Sequence, residues 1–276
     1  MSNQKNFYYW MLTALLFSSP LLGDLKNELA FDKDWPYQDL LINGEMLKKG
    51  VGPDCPSRFE AIRPLLNRFK RPFTVLDIGA NNGYFSLRIL ENYDATCILI
   101  DGTERLQKIC ELNSEMGNLA YLKKFITADD IERLAQEEHF DVVLCFHVLH
   151  HVDWRRFTSA LFKLGDYVII ETPPVNDGFV PLKPTIPEIA NYLLSLPFGM
   201  QIGSFARQSP TIRDHMILFS QPSLSPFIKR DFEIAMRYQP ITQKWEPLSP
   251  GISVATFKNL NGSYSNFPLK PGNENE

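Results

Sequence analysis

The segment 75–85 reads Val-Leu-Asp-Ile-Gly-Ala-Asn-Asn-Gly-Tyr-Phe, the most chemically suggestive stretch of the chain. A β-rich apolar run ends at Gly79, the chain turns, and a helical pattern opens near Gly83. In a doubly wound α/β sheet the first such turn lies where ligands bind, outside the carboxyl ends of the strands. Gly79 is expected to let the backbone approach a ligand, and Gly83 to let the helix pack close to the sheet. The next apolar run, 95–100, ends at Asp101, where a carboxylate accepts hydrogen bonds from both hydroxyls of a ribose. A ribose-bearing cofactor is therefore expected.

A pyrophosphate site wants GxGxxG, with amides at the helix start holding the phosphates. Here the spacing is GxxxG, and Asp77 puts an anion at the strand end. That anion suits an ammonium group. Asp77 with the amides of Asn81 and Asn82 fits the amino acid end of S-adenosylmethionine.

On these residues the chain resembles the class I S-adenosylmethionine-dependent methyltransferases. Segment 75–85 looks like their first motif, with Asn81 replacing a glycine of the commoner form. The resemblance implies cofactor contacts at Asp77, Gly79, Asn81, Gly83 and Asp101. It also implies an adenine contact at Asp129, after the third strand, and a methyl-facing strand end at Phe146. On the acceptor side, His147, His150 and His151 follow the fourth strand and Glu171 ends the fifth. His147, His150 and Glu171 are the candidate catalytic residues. A neutral imidazole there takes a proton from a hydroxyl acceptor as the methyl transfers. Arg58 is either a partner for the cofactor carboxylate or an ordinary surface arginine. No metal-ligand spacing occurs among the four cysteines (Cys55, Cys97, Cys110, Cys145), so neither a bound metal nor a disulfide framework is expected.

The elements that must position these groups are legible as alternating patterns. Strand-like runs at Phe73–Ile78, 95–100, 121–127, Phe140–Phe146 and 167–170 alternate with helical patterns at Tyr84–Asn92, 105–116, 131–138 and Trp154–Leu164. Continuous apolar strands between amphipathic helices mean a parallel sheet covered on both faces. A further helix at 187–196 and a closing strand pair at 201–207 and 215–220 complete an α/β, doubly wound, seven-stranded, mostly parallel sheet. Residues 58–69 read as a helix containing Pro64.

The catalytic domain is placed at 55–222, between a lead-in at 24–54, expected to be irregular, and a loop-rich C-terminal extension at 223–276. Residues 7–22 are an apolar run after Lys5, short for a membrane span and suited to a signal peptide or a short anchor. Since this cofactor is made and held in the cytosol, the run implies a protein membrane-associated with a cytosolic-type catalytic domain, or one delivered into another cell's cytosol, unless it is an apolar helix that is no signal.

A net charge of −4 argues against bulk electrostatic capture of nucleic acid. Seven basic against two acidic residues between Lys48 and Arg71 are the one local exception. The expected acceptor is a small molecule or saccharide, methylated on oxygen. RNA or protein methylation and a non-catalytic cofactor-binding module are the alternatives, and the sequence leaves the oligomeric state open.

Overall fold

The computed structural model describes residues 37–172, 185–196, 198–206, 213–220, 253–258 and 264–269. The apolar run 7–22 and most of the C-terminal extension lie outside these residues. Among the described residues no helix is long and apolar enough to cross a membrane.

The lead-in, expected to be irregular, instead holds a hairpin of β1 (Leu40–Ile42) and β2 (Glu45–Lys48). Asn43 and Gly44 both have positive φ, 49° and 79°. This is the two-residue turn whose twist matches an antiparallel pair. Leu40, Leu41 and Ile42 are buried, and Asn113 fixes the turn by accepting from the Asn43 amide at 2.8 Å and donating to the Leu41 carbonyl at 3.1 Å.

Helix α1 (Cys55–Leu66) starts where Asp54 accepts from the Ser57 amide at 2.9 Å, with a proline in its first turn. It ends one turn earlier than its periodicity suggests. Pro64 lies in the last turn, and the chain leaves the helix after Leu66. Phe59, Ile62, Leu65 and Leu66 are fully buried on one face, each stabilising by roughly 1.5–3 kcal/mol.

The central sheet contains β3 (Phe73–Ile78), β4 (Ala95–Asp101), β5 (Leu119–Lys123), β6 (Phe140–Phe146), β7 (Gly165–Thr172), β8 (Gly199–Ala206) and β9 (Arg213–Ser220). Their order is β5-β4-β3-β6-β7-β9-β8. The first five are parallel, and β9 runs antiparallel to both β7 and β8.

The interleaved helices are α2 (Tyr84–Asn92), α3 (Glu104–Leu112), α4 (Ala128–Glu137), α5 (Trp154–Leu164) and α6 (Thr185–Ser195). Because side chains alternate along a strand, Val75, Leu99 and Leu144 pack with α1, α2, α3 and the hairpin, while Leu76, Ile98 and Val143 pack with α4, α5 and α6. The result is two cores on one sheet. β10 (Ser253–Lys258) and β11 (Tyr264–Leu269) pair antiparallel around the expected turn at 259–262, which lies outside the described residues.

Between β3 and β6 the strand order reverses, so the loops leaving these two strands diverge and open a crevice at the carboxyl end of the sheet. All four cysteines are unpaired and buried.

Candidate active site

That crevice is a cleft of about 650 Å³, within the range of pockets that hold nucleoside-sized ligands. Gly79, Asn81, Asp101 and Phe146, four of the seven residues expected at the cofactor, line it together with His147, His150 and His151. Asp101 accepts from the amides of Asn81 and Thr103, both at 2.9 Å. A carboxylate has about four acceptor positions, so two remain for ribose hydroxyls. Asn81 sits at φ 56°, a left-handed conformation that asparagine tolerates in place of glycine.

Gly79 also has positive φ (69°), and a Cβ there would lie 2.4 Å from Val148 Cγ2. The loop after β6 thus crowds this glycine. Gly83 caps α2 at φ 69°, where a Cβ would meet Leu99 at 2.9 Å; its small size does bring the helix onto the sheet.

Four residues singled out from the sequence do not line the cleft among the described residues. Asp77 does not line the cleft among the described residues; it is buried beneath α2, accepting from Ser86 Oγ at 2.8 Å. Its position within β3 turns it to the helix face, as for Val75. Asp129 is also away from the cleft, since β5 stops at Lys123, earlier than its apolar pattern suggests. Asp129 therefore falls in the first turn of α4, exposed and 2.6 Å from Arg156, while Thr127 and Asp130 form a capping box. The loop in between supplies Lys124, Phe125 and Ile126 to the cleft wall.

Glu171 and Arg58 are the other two. Both side chains are 0% exposed and they bind each other twice, with Arg58 Nε 2.9 Å from Glu171 Oε1. Arg58 is not a surface residue: its guanidinium lies 4.7 Å from the Phe85 ring and 5.5 Å from that of Phe146. Burial would push the Glu171 carboxyl up, but the Arg58 charge and the His147 contact outweigh it and hold it below the usual value. Glu171 does not line the cleft among the described residues and is linked to it through His147.

His147 is where these neighbours converge. It directly follows β6 with φ 60°, unusual for a non-glycine residue and held by its amide donating to the Glu171 carbonyl at 2.9 Å. Its Nε2 lies 2.9 Å from Tyr37 Oη, 3.2 Å from Asp214 Oδ2 and 3.3 Å from Glu171 Oε2. Burial would lower the imidazole pKa, but hydrogen bonds to Asp214 and Glu171, with their charges, raise it above the ordinary histidine value. Ligand-type atoms of His147, Glu171 and Asp214 lie within 4.8 Å of one another. The two carboxylates are, however, already balanced by Arg58 and by His147 once protonated. His150 and His151 share a short 3₁₀ turn, with ring centroids 3.9 Å apart.

Three further site residues were not expected from the sequence. Asp214 arrives from β9 and is fully buried. Tyr37 and Gln38 come from the lead-in and line the cleft. Gln38 braces the loop between β3 and α2: its carbonyl accepts from Asn82 Nδ2 at 2.8 Å and its Oε1 from the Tyr84 amide at 3.2 Å. The Asn43-Gly44 turn signal could have revealed the hairpin that fixes this segment. No local signal marks Asp214.

Residues 75–166 match the family model described as a methyltransferase domain. That segment is a methyltransferase domain of the S-adenosylmethionine-dependent kind. Over 191 residues the chain is 26% identical to the O-antigen chain terminator bifunctional methyltransferase/kinase WbdD of Escherichia coli, covering 61% of this chain and 27% of that protein. It is 28% identical over 94 residues to the tRNA U34 carboxymethyltransferase of Campylobacter jejuni, covering 34% of this chain and 31% of the relative. The match thus spans about a third or less of each of these relatives.

A crystal structure of WbdD superposes with a TM-score of 0.54 at 24% identity, covering 71% of this chain and 46% of that one, and shares the fold. In the methyltransferase domain the residues that fit the cofactor are Asp101, whose open acceptor positions suit hydroxyls, and the cleft walls at Gly79, Asn81 and Phe146.

Proposed function

We propose that this protein transfers the methyl group of S-adenosylmethionine to a hydroxyl oxygen of a small molecule or saccharide. The observation that carries the reading is His147, a nearly buried imidazole on the cleft with two carboxylates at Nε2. An alcohol becomes an effective nucleophile as its proton leaves, and a base whose charged form is stabilised by carboxylates serves that step. When bound, the cofactor supplies an electrophilic methyl group on sulfur. The chain does the remainder: Asp101 holds the ribose, Gln38 braces the cofactor loop, His147 receives the proton, and Arg58 with Glu171 fixes the imidazole. Holding both reactants in one cleft contributes through orientation.

Likeness to an O-antigen chain terminator methyltransferase/kinase supports a saccharide acceptor. Likeness to a tRNA-modifying enzyme supports the rival RNA reading, which the net charge of −4 disfavours. The test uses methyl-labelled cofactor with saccharides, small alcohols, RNA and protein offered side by side. Label in a methyl ether on a saccharide or small molecule is expected, and His147→Gln should lower kcat by about 10²-fold or more. Label appearing on RNA alone overturns the proposal.

A further inference from the structure

We infer that Tyr37 is a catalytic residue, its phenolic hydroxyl relaying the acceptor's proton to His147. The inference rests on the O-methylation reading above and names the group that touches the acceptor.

The geometry begins at His147 Nε2. Three oxygens surround that nitrogen within 3.3 Å: Tyr37 Oη, Asp214 Oδ2 and Glu171 Oε2. The two carboxylates are 0% exposed and take no part in lining the cleft among the described residues, whereas Tyr37 lines it. Tyr37 and His147 line the cleft side by side, and Tyr37 Oη lies closer to Nε2, at 2.9 Å, than to Asp214 Oδ2, at 3.5 Å. Its ring meets the imidazole edge-on, centroids 5.1 Å apart.

The segment carrying Tyr37 is held closely. The Gly52 amide donates to the Tyr37 carbonyl at 2.9 Å, and a Cβ on Gly50 or Gly52 would come within 2.6 Å of that carbonyl oxygen. Asp39 accepts from the Gly50 amide at 2.8 Å, and Gln38 ties the same segment to the cofactor loop. One short stretch therefore braces the cofactor loop and presents a hydroxyl to the base.

The proton balance is as follows. The acceptor hydroxyl gives its proton to Tyr37 Oη as Tyr37 gives its own to His147 Nε2. The acceptor oxygen's electron pair forms the O–CH3 bond while the methyl–sulfur bond breaks, its pair staying on sulfur. The products are a methyl ether, a thioether and an imidazolium facing Glu171 and Asp214. An unprotonated Nε2 points a lone pair at two anionic oxygens, so a proton arriving there is drawn in by both charges. The charged and titratable groups around the imidazole are Glu171 of β7, Asp214 of β9, Tyr37 of the lead-in, His150 of the 3₁₀ turn, and Arg58 of α1 acting through Glu171.

Tyr37→Phe in the full chain keeps the ring and removes only the hydroxyl. With the saccharide or alcohol that the wild type methylates, kcat is expected to fall by about 10²-fold, with KM for the cofactor and S-adenosylhomocysteine affinity within about twofold. A second readout needs no acceptor: NMR titration of the His147 ring in the unliganded protein. In the relay the hydroxyl donates to neutral Nε2, so its removal should move the His147 midpoint upward by about half a pH unit or more. Unchanged kcat in Tyr37→Phe, or a midpoint that stays put or moves down, overturns the relay while leaving O-methylation standing. A wild-type protein that binds S-adenosylhomocysteine but methylates no hydroxyl overturns both.

Discussion

Asp77 of β3 and Glu171 of β7 are both buried carboxylates near strand ends on either side of β6, and their surroundings push them in opposite directions. Burial lifts the Asp77 carboxyl to about 7; the charge of Asp101 adds to this, while the Ser86 hydrogen bond and the Arg58 charge offset part of it. Glu171 is as deeply buried, but Arg58 and His147 hold it down. A raised carboxyl keeps its proton in the folded chain after the unfolded chain has released it. The stability from Asp77 is therefore present at low pH and lost as pH rises from about 4 towards 7. We expect Asp77→Asn, which cannot ionise, to melt above the wild type at pH 8, with the gap closing towards pH 5. Thermal melts across that range check this, and a gap independent of pH would place the charge elsewhere. His147 is raised, so its contribution is complete below about 6.5 and fades as pH climbs through its higher folded value. Glu171, lowered, does the reverse on the acid side.

At the scale of elements, the site depends on how β3 and β6 leave the sheet. Gly79 adopts positive φ where a Cβ would strike Val148, so the first loop and the loop after β6 fit only without a side chain. Gly79→Ala should cost about 2 kcal/mol or more, from the left-handed conformation and the clash together. Val148→Ala should return about 1 kcal/mol of that in the double variant. Gly102→Ala is the contrast, because its blocking neighbour is the 80% exposed ring of Phe125, which can swing away; a change within about 0.5 kcal/mol is expected. Urea denaturation of the four variants measures all of this. Equal losses for Gly79→Ala with and without Val148→Ala would remove the steric part of the argument.

Across the whole molecule, one largely buried network ties five separated pieces of chain: Tyr37, Arg58 of α1, His147 after β6, Glu171 of β7 and Asp214 of β9. Removing one partner of a buried ion pair leaves an uncompensated charge, which costs about 3–5 kcal/mol, whereas replacing both with apolar groups is often near neutral. Arg58→Met is therefore expected to destabilise by about 3–5 kcal/mol, and Arg58→Met with Glu171→Leu to recover most of it. Denaturant midpoints for both variants test this; a double variant no better than the single one would contradict it.

The sequence by itself determined the class of fold and the cofactor loop, because those features are local. Strand and helix periods, the glycine spacing at 79 and 83, and an acid at the end of the second strand can all be read within a few residues. It also contained the Asn43-Gly44 hairpin signal, hidden in a segment whose mixed composition read as irregular. Only the tertiary structure decided which acids face the cleft. The apolar pattern 121–127 continues past the last strand pair at Lys123, so a four-residue error in a strand end moved Asp129 from loop to helix. The direction in which Asp77 points follows from strand register, and the charge state of Glu171 from Arg58, 113 residues away in sequence. The His147 end of the cleft is assembled by long-range packing of the lead-in, α1 and β9, and no spacing within the chain encodes which distant hydroxyl or carboxylate will reach one nitrogen.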